Sequence, residues 1–427
     1  MPEFSFTSSS PGAWRDAPWH RAWLTKQADI LFDLFDPAAV NPRGGFFDLD
    51  PTGKPLPGKA VRPIHTTARA VHCYVIASLL GRPGSDRMID HGMQYLWHCH
   101  RDAKHGGYMW SLDDDGPKDT TKQGYGHAFV LLAASSAKLV GHPLADGMLA
   151  DVTTTLNERF WEEQHGAIAE EFERDWAPTR GYRGQNSNMH LTEALMAAYE
   201  ATADQEYLRK AERIADLIIN RRARECDFRV AEHFDEQWAI DRSYRAVNEM
   251  FRPSGTTPGH WLEWARLALQ LWVLGGKKHD WMPEAAEMLF RRSVELAWDG
   301  TKGGFFYTLD WADKPSFRFK PWWPIAEAAG AASFLAEHRP SAFHEEWYRR
   351  IWNTIAEVYI DREHGGWFEE LDEDLQPAHS LFVGKADLYH ALQACLIPLY
   401  PAQGSLTNMI RQCYDASTAK ASIDGDV

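Results

Sequence analysis

Three histidines stand near the start of strongly apolar stretches: His190 in NSNMHLTEAL, His260 in TPGHWLEW and His390 in DLYHALQ. An imidazole titrates near neutral pH, so it suits proton transfer in both directions. Each taken alone could be a packed histidine satisfied by a neighbour. Three at matching places in similar segments point instead to a shared acid/base site. His260 and Glu263 stand at i and i+3, on one helical face. A helical zinc pair places histidines at i and i+4, and no further ligand cluster is evident in the sequence. We therefore expect no metal, with Glu263 orienting His260 and raising its basicity.

Other polar residues interrupt the same apolar stretches. They are Arg69 in TTARAVHCYVIA, Tyr125, Asn186, Asn188, Glu193, Arg252, Trp322, Trp323, Glu327, Lys385 and Asp387. A buried guanidinium is costly unless paired, so Arg69 is expected to face a cavity and bind ligand oxygens or order a carboxylate. Glu193, Glu263, Glu327 and Asp387 also leave open a glycosidase, which needs two carboxylates across one bond. Trp322 and Trp323 would stack on the apolar face of a sugar in either chemistry, or simply close a wall.

The elements that must position these residues follow a repeat. GGFFDLDPTGKP from Gly44, GGYMWSLDDDGPK from Gly106, GGFFYTLDWADKP from Gly303 and GGWFEELDEDLQP from Gly365 share one pattern. Aromatic residues suit a strand, and Asp, Gly and Pro suit a turn, so each reads as a short β-hairpin. HGAIAEEFERDWAP at His165 and FRVAEHFDEQW at Phe228 are weaker copies. Gly44 to Gly106 and Gly303 to Gly365 are each 62 residues apart. Two helical patterns fill each period. Helices are expected near 16–35, 62–80, 85–100, 122–140, 144–161, 187–203, 205–221, 258–275, 281–298, 322–337, 341–360 and 385–399. Odd ones are amphipathic, as in EYLRKAERIADLIINRR; even ones are apolar all round, as in HAFVLLAASSAKL. A helix apolar on every side is buried, and one with a polar stripe covers it. The expected fold is an all-α (α/α)6 barrel, a toroid of twelve helices with β-hairpins in its loops. It would form a single domain over residues 1–427, with a core near 15–400 and a loose tail after about 405. The polar residues then gather at one mouth of the inner ring.

Composition limits the partners. The formal net charge of −15 disfavours nucleic acid or an anionic membrane. Mean hydropathy is −0.45 and no apolar run is long enough to span a bilayer. The start, MPEFSFTSSSPGA, lacks the basic and apolar regions of a signal peptide. Five cysteines without a CxxC suggest reduced thiols in a cytoplasmic protein. The acidic surface does not set an oligomeric state.

The segments KQGYGHAFVLLA, NSNMHLTEAL, RVAEHFD, TPGHWLEWARL, WWPIAEA and GKADLYHALQA, in this order, resemble the N-acylglucosamine 2-epimerase superfamily, in its branch of mannose and sulfoquinovose isomerases. The resemblance covers about residues 15–400. It implies an (α/α)6 barrel acting on a free monosaccharide without metal or other cofactor. His260 and His390 match the family's two catalytic histidines, and His190 a third site histidine with Asn186 alongside. Arg69, Tyr125, Glu263, Trp323 and Glu327 match substrate-lining or histidine-orienting positions. His65, Met250 and Glu369 stand where the sulfoquinovose isomerase pattern has Trp, Arg and Gln. A sulfonate would prefer that Arg and neutral Gln, so Glu369 is expected to line a site for a neutral hexose. The implied reaction is aldose–ketose isomerisation of mannose and fructose, with lyxose and xylulose as further candidates. Alternatives are a sugar 2-epimerase, a sulfoquinovose isomerase, a glycosidase or a non-catalytic sugar-binding barrel.

Overall fold

The computed structural model describes residues 12–56, 61–179, 181–246, 249–385 and 387–424. Residues 1–11, which hold most of the segment read as unlike a signal peptide, lie outside the described residues. Helices alternate around a ring: α1 (Pro18–Phe35), α2 (Ile64–Leu79), α3 (Ser85–Tyr95), α4 (Gly124–Leu139), α5 (Ala145–Thr155), α6 (Gln185–Thr202), α7 (Gln205–Ala215), α8 (Pro258–Leu274), α9 (Trp281–Leu296), α10 (Trp322–His338), α11 (Ala342–Thr354) and α12 (Leu388–Leu396). The even helices are buried over most of their length, whereas the odd ones bury one face and leave the other in water. This is the expected (α/α)6 barrel, with α2, α4, α6, α8, α10 and α12 as its inner wall.

Three kinds of feature differ from the periodic pattern. Outer helices α3, α5, α7 and α11 each end in a π-helical turn, at Leu96–His100, Leu156–Phe160, Asp216–Ala223 and Ile355–Tyr359. Helix α12 starts only at Leu388, because the Asp387 side chain caps it by accepting the His390 backbone N–H at 3.1 Å. The stretch after Ser405, expected to hang loosely, forms α13 (Leu406–Asp424). Its Leu406, Met409 and Ile410 are buried, and Glu200 accepts from the Ser405 N–H and the Asn408 amide. Apolar spacing in its first turns, masked by the polar residues between, holds the start of this helix against the core.

The hairpins stitch the ring. The two residues before an inner helix pair antiparallel with the following repeat's hairpin: Arg62–Pro63 with Ser111–Leu112, Lys122–Gln123 with Glu171–Phe172, Arg183–Gly184 with His233–Phe234, and Lys320–Pro321 with Glu370–Leu371. Thr256 bridges Leu309 in the same way. The Lys385 N–H donates to the Leu49 carbonyl at 3.1 Å, which joins the last repeat to the first. Both glycines of each Gly-Gly pair at 44, 106, 303 and 365 have positive φ, a conformation that a side chain disfavours. That requirement explains why the pair recurs. Beside three of these turns a buried lysine meets an aspartate: Lys122 with Asp102 at 3.1 Å, Lys320 with Asp299 at 2.9 Å, and Lys385 with Asp361. Each aspartate also accepts backbone N–H groups of its turn. Removing either partner would strand a buried charge, at about 3–5 kcal/mol.

Candidate active site

The mouth of the barrel opens into a cavity of about 330 Å3. Residues from the first two turns of all six inner helices line it: Arg69, Tyr125, His190, His260, Trp323 and His390. Asn186, Glu263, Trp322, Glu369, Lys385 and Asp387 line it too. The hairpin repeat explains the common level, since each strand pair ends immediately before its inner helix.

Two histidine–carboxylate pairs flank one indole. His260 Nδ1 lies 2.9 and 3.0 Å from the two oxygens of Glu232. The Gln185 amide donates to Glu232 at 2.9 Å, and the Trp264 indole N–H holds the Gln185 carbonyl at 2.7 Å. His390 Nδ1 lies 2.8 Å from Glu327 Oε1. In each pair the carboxylate accepts a hydrogen bond from Nδ1–H, which leaves Nε2 for the cavity. Burial would raise both carboxyls, yet the His260 charge and hydrogen bonds at Glu232, and Arg266 and His390 at Glu327, hold them below the usual range. The Trp323 ring lies between the two imidazoles, with centroids 5.0 Å from His260 and 6.0 Å from His390.

Here one sequence expectation is corrected. Glu263 does not orient His260; Glu232 does. One helical turn after His260, the Glu263 carboxylate points towards α6, where its Oε1 lies 3.7 Å from His190 Nδ1. Burial first, then Arg69 and His390, lowers the His190 pKa to about 4, so this ring is neutral near neutral pH. Glu327 was expected among substrate-lining or histidine-orienting groups, and it stands behind His390 in the second of these places.

Arg69 is paired, as its burial requires. Its Nη1 donates to Asp387 Oδ2 at 2.7 Å and its Nη2 to the Tyr125 hydroxyl at 3.0 Å. The guanidinium is sandwiched by Phe129 and Tyr389, 4.5 and 4.8 Å from their centroids. Because Asp387 also caps α12, it fixes Arg69 relative to His390. Glu369 faces Asp387 and Asp48, and burial followed by these two charges raises its carboxyl well above the usual range.

Other candidates lie elsewhere. Arg252 points out of the cavity, to Glu171 at 2.8 Å and Glu170 at 3.3 Å, because its neighbour Phe251 takes the inward position. Asn188 holds the hairpin backbone at Ile168 and the Gly184 carbonyl. Glu193 sits behind the wall, accepting the Tyr389 hydroxyl. The sequence reasoning missed Glu232, Gln185, Arg266 and Asp48. Arg266, a lone charge within an apolar inner helix, carried the same signal as Arg69.

A model of the N-acylglucosamine 2-epimerase (GlcNAc 2-epimerase) family matches residues 44–394. D-mannose isomerase from Pseudomonas cannabina pv. alisalensis is 40% identical over 404 residues, covering 93% of this chain and 96% of that protein. D-mannose isomerase from Thermobifida fusca is 40% identical over 405 residues, covering 93% and 98%. A crystal structure of D-mannose isomerase superposes with a TM-score of 0.83 at 30% identity, over 88% of this chain and 97% of that one.

Proposed function

Because the chain belongs to the N-acylglucosamine 2-epimerase family, we propose that it is an isomerase interconverting D-mannose and D-fructose. The observation that carries this reading is the pair of histidine–carboxylate dyads on either side of Trp323. Two poised bases facing one cavity suit proton shuttling between adjacent carbons of a sugar. The aromatic wall supplies a stacking surface.

In the reaction the ring opens first: the C1–O5 bond breaks, O5 leaves with the electron pair and gains a proton from an acid of the site, and His260 takes the O1 hydroxyl proton as C1 becomes an aldehyde. His390 then removes the proton from C2. The electron pair forms the C1–C2 double bond, and the His260 proton passes to O1 to give a cis-enediol. His260 next accepts the O2 proton while His390 returns its proton to C1, which leaves the ketone at C2. Arg69, held by Asp387 and Tyr125, stabilises the charge that develops on oxygen. D-lyxose, which is D-mannose without its C6 hydroxymethyl, is expected to give D-xylulose by the same steps. The five thiols, all free, suit a cytoplasmic setting. Among the described residues no helix is long and apolar enough to cross a membrane.

The test is incubation with D-mannose in D2O without added metal, followed by NMR. Fructose formation that a chelator does not slow is expected. Glucose without fructose would replace this reading with 2-epimerisation. Turnover only of sulfoquinovose or an oligosaccharide would overturn it.

A further inference from the structure

Behind the cavity, one guanidinium serves three carboxylates. Arg266 Nη2 lies 3.1 Å from Glu327 and 3.6 Å from Glu263, and its Nη1 lies 3.6 Å from Glu193. All four residues are buried. Their hydrogen bonds are unequally shared. Glu327 receives Arg266 and the His390 imidazole, and Glu193 receives the Tyr389 hydroxyl. Glu263 Oε1 is buried without a hydrogen-bond partner among the described residues. The other guanidinium acting on Glu263, Arg69, is already matched by Asp387. Three ionised carboxylates on one guanidinium would leave an uncompensated buried charge, and the carboxyl with the fewest donors is the one that keeps its proton. The groups facing Glu263 agree: His190 and Glu193 from α6, Glu327 from α10, Tyr389 from α12 and Arg69 from α2. Burial, then the Glu327 charge, acts in the same direction.

A buried acceptor beside that proton is also unpartnered. His190 Nδ1 has no hydrogen bond among the described residues and lies 3.7 Å both from Glu263 Oε1 and from Glu193 Oε2, of which only the protonated Glu263 can supply a proton. That gap is just beyond hydrogen-bond range, and such contacts tighten when substrate arrives. With Nδ1 turned to the carboxyl, His190 keeps Nε2 for the cavity. We propose that Glu263 is held as a neutral carboxylic acid and passes its proton through His190 to the ring oxygen of the bound sugar, opening the ring. The step rests on the isomerase reading above. The C1–O5 bond breaks with its electron pair going to O5. O5 takes the His190 Nε2 proton, Nδ1 takes the Glu263 proton, and the O1 proton goes to His260. Closure of the ketose ring runs the relay backwards: the attacking hydroxyl gives up its proton to His190 Nε2, Nδ1 returns one to Glu263, and O2 takes back the proton on His260. Glu263 is thus a positioning residue and proton source acting through His190.

The same residues, His190, Glu193 and Glu263, bring one donor atom each within 4.8 Å of one another, a spacing that could also suit a cation. Arg266 already occupies the charge of that cluster, and an ion there would need Glu263 ionised. The experiment compares infrared spectra of the full chain and Glu263→Gln near neutral pH without sugar. The difference spectrum, parent minus variant, is expected to show one protonated-carboxyl C=O band, the contribution of Glu369 cancelling because it is common to both. Mannose turnover should fall by about a hundredfold or more in Glu263→Gln, with an unchanged melting temperature, and recover in part in Glu263→Asp. A difference spectrum without that band, wild-type turnover in Glu263→Gln, or a divalent ion that copurifies with the parent but not with the variant would overturn the assignment. Since the difference band is read without substrate, its absence stands apart from failure of the isomerase reading, which would show as no turnover by the parent.

Discussion

Arg266 binds Glu327 through Nε and Nη2, both 3.1 Å from the single oxygen Oε2. The other oxygen is left for His390. One salt bridge therefore neutralises the buried carboxylate and aims it. Arg266→Met should remove the only guanidinium within 4 Å of Glu193, Glu263 and Glu327 among the described residues. The expected loss is about 3–5 kcal/mol in urea unfolding, the range for stranding a buried charge. A loss below about 1 kcal/mol would show that these carboxylates do not depend on it.

Glu232→Gln and Glu327→Gln keep the side-chain shape but replace the carboxylate that each Nδ1–H meets. Each should lower kcat on mannose by about a hundredfold to ten-thousandfold, while circular dichroism stays unchanged. His260→Ala and His390→Ala should each abolish turnover. Activity that survives in either histidine variant would remove that residue from the proton path.

Gly259 precedes His260, and a Cβ there would lie 2.3 Å from the Trp323 ring. Gly259→Ala should push the indole out of the gap between the two histidines. A displacement of about 1 Å at such a surface costs about a hundredfold in rate, so kcat/KM should drop accordingly. Tryptophan fluorescence should change with it. Normal kinetics would mean that the indole's position is not critical.

Acid should destabilise the fold well above the usual carboxylate range. Burial lowers His20, His72, His127 and His190 to about 4 and His100 to about 3. Unfolded histidine titrates near 6.5, so between these values the unfolded chain binds more protons than the folded one. Stability therefore rises with pH across that window. As pH falls through it, each histidine removes about 1.4 kcal/mol per unit. Urea midpoints at about pH 6.5 and about pH 4.5 would measure it, and equal midpoints would contradict it.

Helix alternation, hairpin spacing and the level of His190, His260 and His390 were legible because each follows a local pattern: a 3.6-residue stripe, a Gly-Gly turn, a polar residue in an apolar helix. The partner of His260 was not. Glu232 sits on a hairpin 28 residues upstream, and its approach depends on the pairing of Gly184 with His233. Helical spacing nominated Glu263 for that role, but one turn along α8 also rotates a side chain towards the neighbouring inner helix. Local period cannot rank two neighbours that tertiary packing decides between.

The placement of every lining helix by its N-terminal turns has an electrostatic consequence. Each peptide helix carries a macrodipole with a partial positive charge at its start. Six inner helices that begin at one mouth direct six such ends at the same cavity. The chain as a whole is strongly acidic. The space where an enediolate would form nevertheless has a backbone field favouring negative charge, and no side-chain substitution can titrate that field away.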